Sequence, residues 1–340
     1  MNVSVLEEIA QSLVPAGKGI LAADESTPTI TKRFDSINLE SSEENRRAYR
    51  DMLFTTTGME DFVSGVILFD ETLRQSSADG TPFSQMLSGK GVVPGIKVDK
   101  GAIDMAGFPG EKLTHGLDGL RERLAEYHNL GARFAKWRAV ITIGDKLPTR
   151  ASIEANARAL AHYAALSQEA GLVPIVEPEV LMDGDHDIAS CTEVTEATLT
   201  HTFFELHELR VHLEGILLKP NMVITGKGNA KTDSAEEVAT ATVRSLKRTV
   251  AAAVPGIVFL SGGQSAQQAT ENLNAMNAMG VHPWELSYSY GRALQAEALQ
   301  VWSGMAENVG RAQAAFQHRG KCTSAARFGT YSAALEANGA

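Results

Sequence analysis

Cysteine is scarce in this chain: Cys191 and Cys322 are the two among 340 residues, far apart and in no CxxC pair. That excludes a disulfide framework and points to a reduced, cytoplasmic setting. Positive charge is in deficit as well. The 31 Lys and Arg stand against 41 Asp and Glu, a formal net charge of -10 at pH 7. An overall basic footprint for nucleic acid is therefore missing, and an anionic ligand needs a locally positive site. No apolar run approaches about 18 residues, so no helix is expected to span a membrane. The opening MNVSVLEEIAQSLV has Glu7 and Glu8 and no basic region before its apolar residues, so it does not read as a signal peptide. Walker A and HExxH motifs are missing. Asp183-Gly184-Asp185-His186-Asp187 starts like a calcium loop, but Ile188 and Val194 fall where that loop needs Gly and Glu. No metal set is expected, and His186 reads as a polar loop residue.

What the chain does have is alternation. Short apolar runs recur at 19–26, 63–69, 92–98, 132–141, 172–176, 215–223, 256–260 and 284–290, most of them ending on acids, hydroxyls or glycine. Helical spacing fills most of the gaps, at 43–53 (capped by Ser41 or Ser42), 116–130, 152–170, 193–209, 235–252 and 266–279, and one helix at 5–14 precedes the first run. Strand and helix in alternation imply a parallel sheet, and eight such units close into a (β/α)8 TIM barrel. An open doubly wound sheet is the alternative. No linker or composition break interrupts the chain before Arg319, so 1–319 is expected to be one domain. The segment 320–340, GKCTSAARFGTYSAALEANGA, is small and polar and is expected to form a flexible tail.

One run holds a lysine in its middle: Gly215-Ile216-Leu217-Leu218-Lys219-Pro220-Asn221-Met222-Val223. Either Lys219 snorkels out at the strand end, or it is buried with a depressed pKa and a task, often Schiff-base formation. Other strands repeat the trick. Side chains at i and i+2 share a strand face, and this pairs Lys136 with Arg138, Glu177 with Glu179, Lys219 with Asn221, Asp24 with Ser26, and Lys97 with Asp99. Each pair lies toward the C-terminal end of its strand, and a parallel barrel gathers those ends at one mouth. Five unrelated solvated ends would explain the pattern less well. Lys136 would be the second cation that favours a neutral Lys219 amine. Glu177 and Glu179 would shuttle protons, and Asp24 would take one from a substrate hydroxyl.

Ser261-Gly262-Gly263 follows the seventh run and precedes a helix, a backbone arrangement suited to an anion. Gly291-Arg292 sits likewise after the eighth. Barrels often bind phosphate at these two loops. Lys97, Arg138, Ser26 and the pair Lys32-Arg33 are candidates for a second phosphate on the far side of the mouth.

At these residues the sequence resembles class I fructose-1,6-bisphosphate aldolases. GILAADEST, EENRR, GVILFDETL, GIKVDKG, FAKWR, VPIVEPE, DGDHD, LLKPNMV, FLSGGQS and SYGRALQ look like the family's segments and keep its order from about residue 17 to residue 300. The resemblance implies a (β/α)8 barrel, a phosphorylated sugar substrate, Schiff-base chemistry without a cofactor, and a homotetramer. It implies that Lys219 is the Schiff-base lysine, with Asp24, Lys136, Glu177 and Glu179 as the acid–base group. It places Ser261, Gly262, Gly291 and Arg292 at one phosphate, and Lys97, Ser26 and Arg138 at or near the other. Pro28 and Thr29 depart from the small residues usual after AADEST. Many family members end in a tyrosine thought to reach the active site, whereas this chain ends in Ala340 and its nearest tyrosine is Tyr331. Two readings of Tyr331 stand: a tail contribution at the mouth, or packing on the barrel's flank.

Overall fold

The computed structural model describes residues 2–337. Eight strands form a closed barrel: β1 (Gly19–Ala23), β2 (Val63–Leu68), β3 (Val93–Lys97), β4 (Phe134–Ile141), β5 (Val173–Val180), β6 (Leu217–Leu218), β7 (Gly256–Phe259) and β8 (Glu285–Tyr290). Each pairs in parallel with its neighbours in sequence, and β8 returns to β1. All five residues of β1 and all eight of β5 are buried. A barrel strand faces packed side chains within and helices outside, so it reads as a continuous apolar run.

The lower half of the barrel is filled with hydrocarbon. Phe134 projects inward from β4, and glycine stands where its ring passes: a Cβ at Gly95 would lie 2.3 Å from that ring, and one at Gly65 3.1 Å from it. Helix α1 (Val3–Ser12) closes this end, and Leu6, Ala10 and Leu13 pack with Phe134, Ile175 and Val258. The upper half is charged. Lys97 is in register with Lys136, and Arg138 with Glu177. Between the inward Lys136 and Arg138, Trp137 points outward and stacks on Tyr163 of the helix Arg150–Glu169, with ring centroids 5.6 Å apart. That contact fixes the face, because a slip of one residue would exchange Trp137 for its charged neighbours.

Two departures from the sequence reading concern helices. The sequence reading assigns no element to the segment after β1, yet Thr27–Asp35 is a helix with Ser26 at its N-cap position. Pro28 sits in its first turn, where a missing N–H leaves no bond unmade. The second departure is at the tail. The boundary placed after Arg319 falls inside a helix, Val309–Arg327. Its small residues allow close approach: a Cβ at Gly320 would sit 2.2 Å from the ring of Phe62. Arg327 is buried and donates to the carbonyls of Val14, Pro15, Lys18 and Leu286 and to the carboxylate of Glu285.

Arg327→Met keeps the stem and removes the donors, leaving buried carbonyls unpaired. The unfolding free energy is expected to fall by about 2–4 kcal/mol, read as a lower urea or thermal midpoint. A midpoint equal to that of the parent chain would show that residues beyond 319 add nothing to the barrel's stability.

Candidate active site

At the barrel's centre four charged side chains alternate in sign. Lys219 follows directly on β6, and its N–H still joins the ladder, donating to the Val176 carbonyl at 2.8 Å. Pro220 has no donor, and the strand ends there. Lys219 is only 4% exposed, and its Nζ lies 3.2 Å from Glu177 Oε1. Glu177 Oε2 lies 3.4 Å from Lys136 Nζ, and Lys136 Nζ lies 2.7 Å from Asp24 Oδ2. The series Lys219, Glu177, Lys136, Asp24 thus crosses the mouth from β6 to the end of β1 with every charge beside an opposite one. Buried charges persist only when so paired.

The electrostatics follow. Burial works against the charge on Asp24, but Lys136, Lys219 and Lys97 outweigh it and hold its carboxyl well below the usual carboxylate range. Burial likewise works against the Lys136 ammonium, yet Asp24, Glu177 and Asp99 raise its pKa above that of a free lysine. Lys136 is therefore a lasting cation and Asp24 a lasting anion at neutral pH.

Two arrays of cations flank this centre. On one side Gly262 takes a left-handed φ of 57° after the buried Ser261. Arg292 Nη2 donates to its carbonyl at 2.8 Å. Gly291 caps the helix Arg292–Trp302. Two further cations stand here that the sequence reading did not place on this side of the mouth. Arg33, expected beside Lys97, instead lies with its Nη2 3.6 Å from where a Cβ on Gly291 would be, and it pairs with the buried Glu25. Lys227 reaches over from the loop after β6. Its Cε and Nζ occupy the place of a Gly263 side chain, 1.9 and 2.1 Å from an ideal Cβ, with Asp183 3.3 Å from the ammonium. Glycine at 263 was the one sequence signal for that approach.

On the other side Ser26, Lys97 and Arg138 line a cleft of about 780 Å3, with Thr29, Lys100 and Arg123 around them. Lys97 Nζ is 2.6 Å from Asp99 Oδ1. Arg138 pairs with Glu179, and although burial opposes its charge, Glu179 more than offsets this and raises its pKa. Glu179 therefore serves Arg138, and among the described residues no ion pair joins it to Lys219. Asn221 does not share the inward face of Lys219: its Oδ1 accepts from Val180 N at 3.0 Å and its Nδ2 reaches Thr195 at 3.1 Å. Pro220 breaks the alternation on which that pairing relied. Tyr331 lies away from the mouth. It is buried in a groove on the outer flank, with Glu236 and Ala239 of the helix Ala235–Thr249 and Glu271 and Asn274 of the helix Ala266–Ala278.

Comparison with known proteins finds both a family and a matching fold. The family model described as fructose-bisphosphate aldolase class-I matches residues 5–340. A probable fructose-bisphosphate aldolase class 1 of Xanthomonas campestris pv. campestris is 58% identical over 332 residues, covering 97% of this chain and 99% of the relative. The cytosolic fructose-bisphosphate aldolase 6 of Arabidopsis thaliana is 58% identical over 316 residues, covering 93% and 88%. Among solved structures, a fructose-bisphosphate aldolase of Plasmodium falciparum superposes with a TM-score of 0.96 at 52% identity, covering 97% of this chain and 95% of that one.

Asp24→Asn tests the charge series. At pH 7 the substitution is expected to lower the unfolding free energy by about 3 kcal/mol, the penalty for breaking a buried pair. The folded pKa of Asp24 lies below its unfolded value of about 3.9. Its contribution is therefore complete above that value and fades as pH falls toward the folded pKa. The gap between parent and variant, read from urea midpoints, should narrow below about pH 4. A gap that stays constant with pH would mean the lysines do not hold Asp24 ionised.

Proposed function

The chain belongs to the class I fructose-bisphosphate aldolase family, which reversibly cleaves fructose 1,6-bisphosphate to dihydroxyacetone phosphate and glyceraldehyde 3-phosphate through a lysine Schiff base, and on that premise we propose that Lys219 is the lysine and Glu177, Lys136 and Asp24 its working partners. The observation that carries this is the buried Lys219 Nζ, 3.2 Å from Glu177 Oε1.

An ammonium cannot attack a carbonyl, and Glu177 is placed to take its proton. The neutral amine adds to the C2 ketone, and the same carboxyl returns a proton to the departing hydroxyl as the iminium forms. Its Oε1 faces Lys219 and is the oxygen placed for this shuttle, while Oε2 has Lys136 Nζ at 3.4 Å as its ion-pair neighbour. Asp24 then takes the proton of the C4 hydroxyl. The C3–C4 bond breaks, and its electron pair moves into the iminium to give an enamine. Lys136, 2.7 Å from Asp24, stabilises negative charge that develops on the C4 oxygen. Protonation at C3 and hydrolysis of the iminium release dihydroxyacetone phosphate. Glu179 supports the second phosphate site by holding Arg138.

The two cation arrays suit a bisphosphate with its ends on opposite sides of the mouth. Ser261, Gly262, Gly291 and Arg292 would hold the phosphate that stays with the enamine. Ser26, Lys97 and Arg138 would hold the phosphate that leaves with the aldehyde. The family resemblance supports a homotetramer, and the cytosolic relative from Arabidopsis supports a cytoplasmic setting; light scattering that gave the mass of a single chain would overturn the tetramer.

Borohydride added with dihydroxyacetone phosphate should label Lys219, and Lys219→Met should abolish both label and turnover. Glu177→Gln should lower kcat by about 10²–10⁴-fold. Label on another lysine, or activity lost to a chelator, would sink the assignment. The phosphate assignment makes a separate prediction. Lys97→Met should raise KM for fructose 1,6-bisphosphate and leave the affinity for dihydroxyacetone phosphate unchanged, whereas Arg292→Met should weaken both. Equal effects of the two substitutions on both ligands would reverse it.

A further inference from the structure

Away from the barrel mouth, three side chains of metal-ligating type converge where the C-terminal segment folds back on the helix Val309–Arg327. His318 and Cys322 are four residues apart on that helix and share one face. Their Nε2 and Sγ atoms are 3.7 Å apart. The helical turn Ala334–Ala337 carries Glu336 to the same spot, and donor atoms of all three lie within 4.8 Å of one another. We propose that His318, Cys322 and Glu336 form a site for one divalent cation of the zinc class, which fastens the C-terminal segment to this helix.

The geometry fits that ion. Zinc takes a thiolate at about 2.3 Å and an imidazole nitrogen at about 2.0–2.1 Å, so tetrahedral angles put the two donors about 3.5 Å apart. The donor set of sulfur, nitrogen and carboxylate oxygen excludes a calcium or magnesium preference, since those ions take oxygen alone. The Cys322 thiol has no strong partner: besides His318 its neighbour is the Leu335 carbonyl at 3.8 Å. Glu336 is already oriented. Arg319 Nη1 lies 2.8 Å from both of its oxygens, and the Tyr331 hydroxyl donates to Oε1. Outer partners of this kind commonly hold a metal-bound carboxylate in place, and a carboxylate has about four acceptor positions, enough for a cation as well. The Arg319 charge opposes the incoming cation, while the thiolate and carboxylate together balance it. On binding, Cys322 loses its proton to solvent and the S–H bond is exchanged for a metal–sulfur bond. A cleft of about 400 Å3 beside Gln317 and Lys321 leaves room for a water as fourth ligand.

Cys191 serves as the internal control, because its neighbours are Thr195 and Asn221 and no histidine. The experiment adds Co2+ to the purified full chain and follows the thiolate-to-cobalt absorption, with Zn2+ stoichiometry from equilibrium dialysis and elemental analysis. One ion per chain is expected, with an absorption band lost in Cys322→Ser. His318→Gln, at a half-buried position, should weaken Zn2+ binding by about a hundredfold, and Glu336→Gln by about tenfold. Zn2+ should also slow chymotryptic cleavage at Tyr331 in the parent chain and not in Glu336→Gln, with aldol cleavage unchanged throughout. No band, a band that survives in Cys322→Ser, or Zn2+ binding indifferent to His318→Gln would overturn the proposal. Because the borohydride trap reads Lys219 alone, either result leaves the catalytic assignment untouched.

Discussion

Everything at the barrel mouth depends on keeping charge buried without leaving it alone. An isolated ion moved into a protein interior loses several kcal/mol of solvation even after relaxation. Lys219, Glu177, Lys136 and Asp24 meet that constraint as a series, each with an opposite charge at 2.7–3.4 Å. In the proposed mechanism the same pairing has a second use, since Glu177, the ion-pair partner of Lys219, is also the group placed to take its proton. A single lysine–carboxylate pair would lack the outer cation, Lys136, that keeps Asp24 ionised.

The closed sheet is what makes such a series possible. Its members come from residues 24, 136, 177 and 219, and the closed parallel barrel gathers the ends of their strands at one mouth, so that successive members lie 2.7–3.4 Å apart. The hydrocarbon below them matters equally. Phe134, let in by glycines at 65 and 95, and α1, closing the far end, exclude water from beneath the charges. Electrostatic interactions in that low-dielectric setting are stronger than at an open surface, so the apolar half of the barrel sets the strength of the polar half.

The sequence was readable where a residue's environment is decided by its strand. Eight apolar runs became eight strands, and the i, i+2 rule placed Lys136 with Arg138 and Glu177 with Glu179 because Trp137 and Pro178 hold the alternation between them. It failed where the backbone leaves that pattern. Asn221 follows a proline that interrupts the pleat, and it turns outward. Arg33 lies on a helix hidden behind Pro28, so its reach toward Gly291 had no signal in spacing. Lys227 belongs to a polar glycine-rich loop, and only the contact with Gly263 reveals it. The segment after Arg319 was read as loose because small residues bury little surface, yet small residues are also what allow a helix to lie close against Phe62. Composition alone does not separate those two uses.

The buried Arg327 has a consequence in time. Strands β1 and β8 close the barrel through two paired positions, Ile20 with Ser289 and Leu21 with Tyr290, fewer than join β4 to β5. Arg327 spans the ends of that seam, with Val14, Pro15 and Lys18 from the start of the chain on one side and Glu285 and Leu286 on the other. A ribosome makes this arginine after Tyr290, where the last barrel strand ends. A nascent chain therefore carries all eight strands before it carries the clasp that joins the first to the last, and its barrel stays without that clasp until synthesis has passed residue 327.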